Sequence, residues 1–127
     1  RVLVDAPCTG LGTLRRNPDL KWRQTPEAVA ELVVKQTAIL AAAARLLKPG
    51  GRLVYATCSL LREENEMIAD AFSASHPQYK QLPVSELLAA EGVAQPDTLC
   101  TPDGLYLRLW PHLHATDGFF AAAWCLS

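Results

Sequence analysis

Half of the 127 residues are apolar and a fifth are charged, a composition that suits one packed domain and excludes a disordered chain. The net charge of −1 excludes a global basic field, so any nucleic acid must be held by a local patch. Apolar runs fall far short of the roughly 20 residues of a membrane span. The four cysteines, Cys8, Cys58, Cys100 and Cys125, contain no C-x-x-C. No metal site is expected from them, and free thiols in a reducing cytoplasm are the simpler reading. No membrane partner is expected either. Arg1 leads straight into an apolar run with no initiating methionine, which reads as a piece of something longer.

Val2-Leu3-Val4 is a short run without polar alternation, as in a strand covered on both faces. Asp5 stops it, Pro7 fixes the backbone, and Gly10 and Gly12 permit a tight loop near a ligand. Cys8 therefore sits where a strand opens into a loop, the edge at which open α/β sheets bind ligands. Thr13–Gln24 follows, with Arg15, Arg16, Lys21 and Arg23 around Asp19 and Trp22. That mixture next to the Cys8 loop points to RNA contact, the alternative being a solvated connection.

Thr25-Pro26-Glu27 is a helix start, with a hydroxyl cap, proline at the first position and an acid in the first turn. Val29, Leu32, Val33, Leu40 and Leu47 give a helix of about 22 residues, ended by Pro49-Gly50-Gly51. Arg52–Ala56 is then a second strand, running into Thr57-Cys58-Ser59. A strand–helix–strand crossover makes the two strands parallel and brings Cys8 and Cys58 to one edge. Ser59 reads as the cap of the next helix, with Glu63, Glu64 and Glu66 in its first turns and an end near Ser75. That placement gives Cys58 a helix N-terminus to favour its thiolate. Tyr79–Leu82 reads as a short strand, Ser85–Glu91 as a short helix, Gly92–Gly104 as a loop and Leu105–Trp110 as extended. His112 and His114 alternate as on an extended segment. Phe119–Leu126 has the composition of a buried strand.

Asp5-Ala6-Pro7-Cys8-Thr9-Gly10-Leu11-Gly12, Arg16-Asn17-Pro18-Asp19, Leu47-Lys48-Pro49-Gly50-Gly51 and Ala56-Thr57-Cys58-Ser59 with Glu63–Glu66 resemble the S-adenosylmethionine-dependent RNA cytosine-carbon-5 methyltransferases. Arg108–His112 and Thr116–Phe120 are similar to the bacterial branch that modifies 16S ribosomal RNA, the Sun or Fmu type. The resemblance implies an α/β fold: the C-terminal part of a Rossmann-like class I methyltransferase, with a mostly parallel sheet and an antiparallel last strand. Residues 1–127 would then be the C-terminal portion of the catalytic domain, without the glycine-rich cofactor loop and ribose-binding acid of its first half. Alone, such a piece is expected to bind S-adenosylmethionine poorly and not to turn over.

By the same resemblance, Cys58 would attack carbon 6 of the cytosine, Cys8 would assist release, and Asp5 would hold the base edge. Asp5 and Pro7 would touch the methionine end of S-adenosylmethionine, and RNA, most simply 16S rRNA in the cytoplasm, would be the partner. In related DNA enzymes the Pro-Cys thiol is itself the nucleophile, so the roles of Cys8 and Cys58 stay open at this level. Two rivals also remain open: a non-catalytic RNA-binding or assembly module on the same fold, and a thiol-dependent hydrolase or redox enzyme using Cys58.

Overall fold

A computed structural model describes the chain except for residues 15, 20, 21 and 23. Strand β1 (Val2–Asp5) pairs in parallel with β2 (Arg52–Thr57), in a register that sets Asp5 beside Ala56. Helix α1 (Pro26–Ala44) joins them, its Thr25 hydroxyl accepting the Ala28 amide at 3.1 Å. The helix is 19 residues long, shorter than its apolar pattern suggests. Leu46 and Leu47 bond three residues back, to Ala43 and Ala44, which tightens the end into single turns. Gly50, at φ +80°, then donates to the Leu126 carbonyl and turns the chain into β2.

The remaining strands are β3 (Tyr79–Leu82), β4 (Leu107–Leu109) and β5 (Phe119–Leu126). Strand β5 lies antiparallel to β2, and both β3 and β4 lie antiparallel to β5 on its other side. Four strands therefore point one way and the last strand alone runs against them, the arrangement implied by the sequence resemblance. Short helices α3 (Val84–Ala90) and α4 (Pro111–His114) lie in the connections. His112 and His114 thus sit on a turn of helix rather than an extended segment, because Pro111 supplies a first helical position. His114 accepts the Trp110 amide at Nδ1 and donates from Nε2 to the Thr98 carbonyl, a structural use of both ring nitrogens.

Helix α2 (Glu66–Ser75) packs with α1 over the sheet. Leu40, Leu53, Tyr55, Phe72, Phe120 and Trp124 are buried together there, with the Phe72 and Trp124 rings edge to face at 4.8 Å. Tyr79 reaches across the core to give its hydroxyl proton to the Ala44 carbonyl at 2.7 Å. Strand β1 forms one edge of the sheet, and Leu3 on it is 69 % exposed. Among the described residues, no helix is long and apolar enough to cross a membrane.

Candidate active site

Strands β1 and β2 end side by side, and pairing continues one step further as the Ala6 amide donates to the Ala56 carbonyl at 3.0 Å. Two residues on, the thiols meet: Cys8 Sγ and Cys58 Sγ are 3.4 Å apart, each half-buried. The parallel-strand expectation therefore holds in its consequence, a pair of thiols at one sheet edge. Burial, and then the hydrogen bond to Cys58, pushes the Cys8 thiol up to about 12.

Around the sulfurs the two loops are built alike. In Cys8-Thr9-Gly10-Leu11 the Thr9 hydroxyl accepts the Leu11 amide at 3.4 Å, and in Cys58-Ser59-Leu60-Leu61 the Ser59 hydroxyl accepts the Leu61 amide at 3.0 Å. Both hydroxyls then donate to the same oxygen, Oε2 of Glu64. Its other oxygen, Oε1, accepts the Thr9 amide at 2.9 Å and Gln36 Nε2 at 3.1 Å. Gln36 also donates to the Pro7 carbonyl at 2.8 Å, which fixes its amide orientation because both partners are acceptors. Glu64, Gln36, Ser59 and the neighbouring Asn65 are all fully buried. Asn65 completes the second loop, donating to the Ser59 carbonyl at 2.9 Å and accepting the Thr57 hydroxyl at 2.5 Å.

This network corrects two expectations. Ser59 does not cap a helix: its hydroxyl accepts the Leu61 amide two residues on, closing a turn, and donates to Glu64. Arg62–Glu64 forms a 3-10 turn, Asn65 stands at the cap position, and α2 starts only at Glu66. Cys58 therefore does not lead straight into a helix, the first residue of α2 lying eight positions further on.

A third segment closes the site from the C-terminal side. The Gly12 amide donates to the Cys58 carbonyl and the Gly118 amide to the Gly12 carbonyl, each at 2.7 Å. A β-carbon on Gly12 would fall against the carbonyl oxygens of Cys58 and Gly118, so the three backbones touch only because no side chain intervenes. Arg16 forms an ion pair of 2.5 Å with Asp117 on this same turn. Arg15, Lys21 and Arg23, the other expected RNA contacts, lie outside the described residues. Trp22 is 78 % exposed, whereas Trp124 is buried and Trp110 lies against the Arg108 guanidinium at 4.5 Å.

Asp5 and Pro7 are exposed at the strand end, which sets a carboxylate at this edge of the sheet.

The family model described as 16S rRNA methyltransferase RsmB/F matches residues 1–125. The chain belongs to that family. It is 46 % identical over 122 residues to a probable ribosomal RNA small subunit methyltransferase B of Synechocystis, covering 96 % of this chain and 26 % of that protein. It is 37 % identical over 122 residues to ribosomal RNA small subunit methyltransferase F of Escherichia coli, covering 95 % of this chain and 24 % of that one. The chain thus spans about a quarter of the length of these relatives. Among solved structures, PH0851 superposes with a TM-score of 0.80 at 42 % identity, covering 96 % of this chain and 25 % of that one. NSun6 from Pyrococcus horikoshii, solved with the ligand SFG, superposes at 0.71 with 31 % identity, covering 98 % and 29 %.

Within this RsmB/F chain, sequence reading singled out Cys8, Cys58 and Asp5 but missed Thr9, Gln36 and Glu64. The signal for Thr9 was present as the Cys-hydroxyl-x-Leu step that Cys58-Ser59-Leu60-Leu61 repeats. Glu64 was hidden in an acidic run that reads as a solvated helix start.

Proposed function

We propose that the protein containing this chain transfers a methyl group to carbon 5 of a cytosine in RNA, 16S rRNA being the class named for its relatives. The observation that carries this reading is the thiol pair at 3.4 Å on adjacent parallel strand ends, with Asp5 on the same edge. In this reading residues 1–127 are the C-terminal part of the catalytic domain, working in the cytoplasm, and S-adenosylmethionine supplies an electrophilic methyl group when bound. The presence of SFG, an analogue of that cofactor, in the related NSun6 structure supports the choice.

The chemistry asked of this chain is proton and electron-pair handling. The Cys58 thiolate forms a bond to carbon 6 of the cytosine, which makes carbon 5 nucleophilic. Asp5 accepts the exocyclic amine of the base and holds its edge as charge develops. After methylation, loss of the proton on carbon 5 re-forms the ring double bond and expels Cys58 as thiolate. That proton passes to Cys8 in its thiolate form, which burial makes scarce at neutral pH. Burial keeps Cys8 protonated, which supports Cys58 as the attacking thiol, since the thiolate is the nucleophile. Because a thiol accepts a proton only once ionised, release is the step that should quicken as pH rises.

Arg15, Arg16, Lys21 and Arg23, with Trp22 exposed among them, would guide RNA to this edge. Asp5 and Pro7 would meet the methionine end of the cofactor. Residues 1–127 alone are proposed to bind the cofactor weakly and to be inactive. The test is methyl transfer from labelled S-adenosylmethionine to 16S rRNA by the whole protein, followed by nucleoside analysis. Label in 5-methylcytidine is expected; label in another nucleoside, or none with RNA still bound, would overturn the reading.

A further inference from the structure

Each active-site cysteine is followed by a hydroxyl residue, and the two hydroxyls, 50 residues apart, converge on one buried carboxylate. A carboxylate buried completely is costly unless its lone pairs are filled. Four donors fill those of Glu64: the Thr9 amide, the Thr9 hydroxyl, the Ser59 hydroxyl and the Gln36 amide. Such a set matches an acceptor-only group and leaves no room for a donor in its place. The three residues that donate come from the β1 loop, the β2 loop and α1. Glu64 itself is carried on the turn before α2, whose backbone carbonyl is held by the Tyr55 hydroxyl at 2.7 Å. The residue is therefore tied to the sheet through its own backbone as well as to the loops through its carboxylate.

We propose that Glu64 is a positioning residue that clasps the two cysteine loops through Thr9 and Ser59 and so sets the distance and orientation of Cys8 relative to Cys58. This rests on the catalytic reading above for its effect on rate, but its geometric part does not. Glu64 touches neither sulfur. Its influence passes through one covalent step on each side, Thr9 to Cys8 and Ser59 to Cys58. An error of about 1 Å in such a placement can cost on the order of 100-fold in rate.

The test uses the full-length protein with S-adenosylmethionine and 16S rRNA. Thr9→Val, Ser59→Ala and Glu64→Gln should each lower the single-turnover rate of methyl transfer, on the order of 100-fold for Glu64→Gln, with RNA affinity kept within about twofold. Thr9→Ser, which keeps the hydroxyl, should recover most of the loss of Thr9→Val. Because both hydroxyls act through one oxygen, the Thr9→Val/Ser59→Ala double variant should lose little beyond the worse single one, whereas independent roles would multiply. If Glu64→Gln does not fold, the two hydroxyl variants, which retain the carboxylate, carry the test.

A second measurement needs no methylation. Dibromobimane fluoresces only after two neighbouring thiols have each displaced a bromide, so it should bridge Cys8 and Cys58 in the parent and fail in Cys8→Ser. It should bridge them much more slowly in Glu64→Gln. Folded variants that bridge and transfer methyl at the parental rate, or that lose only RNA affinity, would overturn the proposal. Lost bridging in Glu64→Gln, with no transfer even in the parent, would uphold the clasp and sink the catalytic reading instead.

Discussion

Cys8 and Cys58 are separated by 50 residues in sequence and by 3.4 Å at their sulfurs. The parallel register of β1 and β2 sets Asp5 beside Ala56 and so brings the two chain ends together, a few residues short of each thiol. The two sulfurs do not share the same surroundings. Burial and the contact with Cys58 raise the Cys8 thiol from 9.0 to about 12, so protonated Cys8 accompanies Cys58 through the neutral range.

That asymmetry has a pH signature. Below pH 9 Cys8 is protonated in both folded and unfolded chains and adds no pH dependence. Between pH 9 and about 12 the unfolded chain releases this proton while the folded one keeps it, so stability should fall as pH rises across that window. Denaturant titrations of parent and Cys8→Ser should diverge there, the parent losing more. Parallel curves would show that Cys8 is not shielded. In the same range, alkylation of Cys8 should stay slow, as read by peptide mass spectrometry.

Gly12 is the packing centre of the site. An alanine there would drive its methyl group into two backbone carbonyls, and neither can move as a flexible side chain would. Gly12→Ala should cost about 1–3 kcal/mol or more, as overpacking of a rigid site does. Gly118→Ala, whose β-carbon would approach Gly12 Cα at 2.9 Å and meet the Leu60 side chain, should behave similarly. Thermal unfolding of the two variants checks this, and an unchanged melting temperature would contradict the close three-backbone contact.

The edge of the sheet makes a further prediction. Strand β1 has one hydrogen-bonding edge taken by β2, and Leu3 is 69 % exposed. Residues 1–127 prepared alone should therefore self-associate with rising concentration, as an unprotected edge strand does. Leu3→Lys should shift sedimentation toward the monomer. A parent that stays monomeric at high concentration would argue that β1 is protected.

Strong local rules made much of this legible. The β-run before Asp5, the Thr25-Pro26 helix start and the apolar stretch Phe119–Leu126 each carry their own signal, and the structure keeps the last of these to the residue. Ser59 shows where local rules fail. A serine followed by acids is the pattern of a capped helix. Yet the Ser59 hydroxyl and the Glu64 carboxylate find each other and Thr9, which is 55 residues from Glu64. A partner that distant has no local signature, so the acid reads as solvated although it is buried. His114 fails for a related reason, since its helix is only four residues long and too short to show a period.

The central claim is that Cys58 bonds to the base while Cys8 attends its release. It is tested most directly by mixing the complete protein with S-adenosylmethionine and rRNA carrying 5-fluorocytosine, which has no proton to lose at carbon 5. A protein–RNA adduct surviving denaturation is predicted in the parent and in Cys8→Ser, and is predicted to be absent in Cys58→Ser. An adduct that persists in Cys58→Ser and vanishes in Cys8→Ser would exchange the two roles. No adduct in any form, with RNA still bound, would contradict the covalent mechanism altogether.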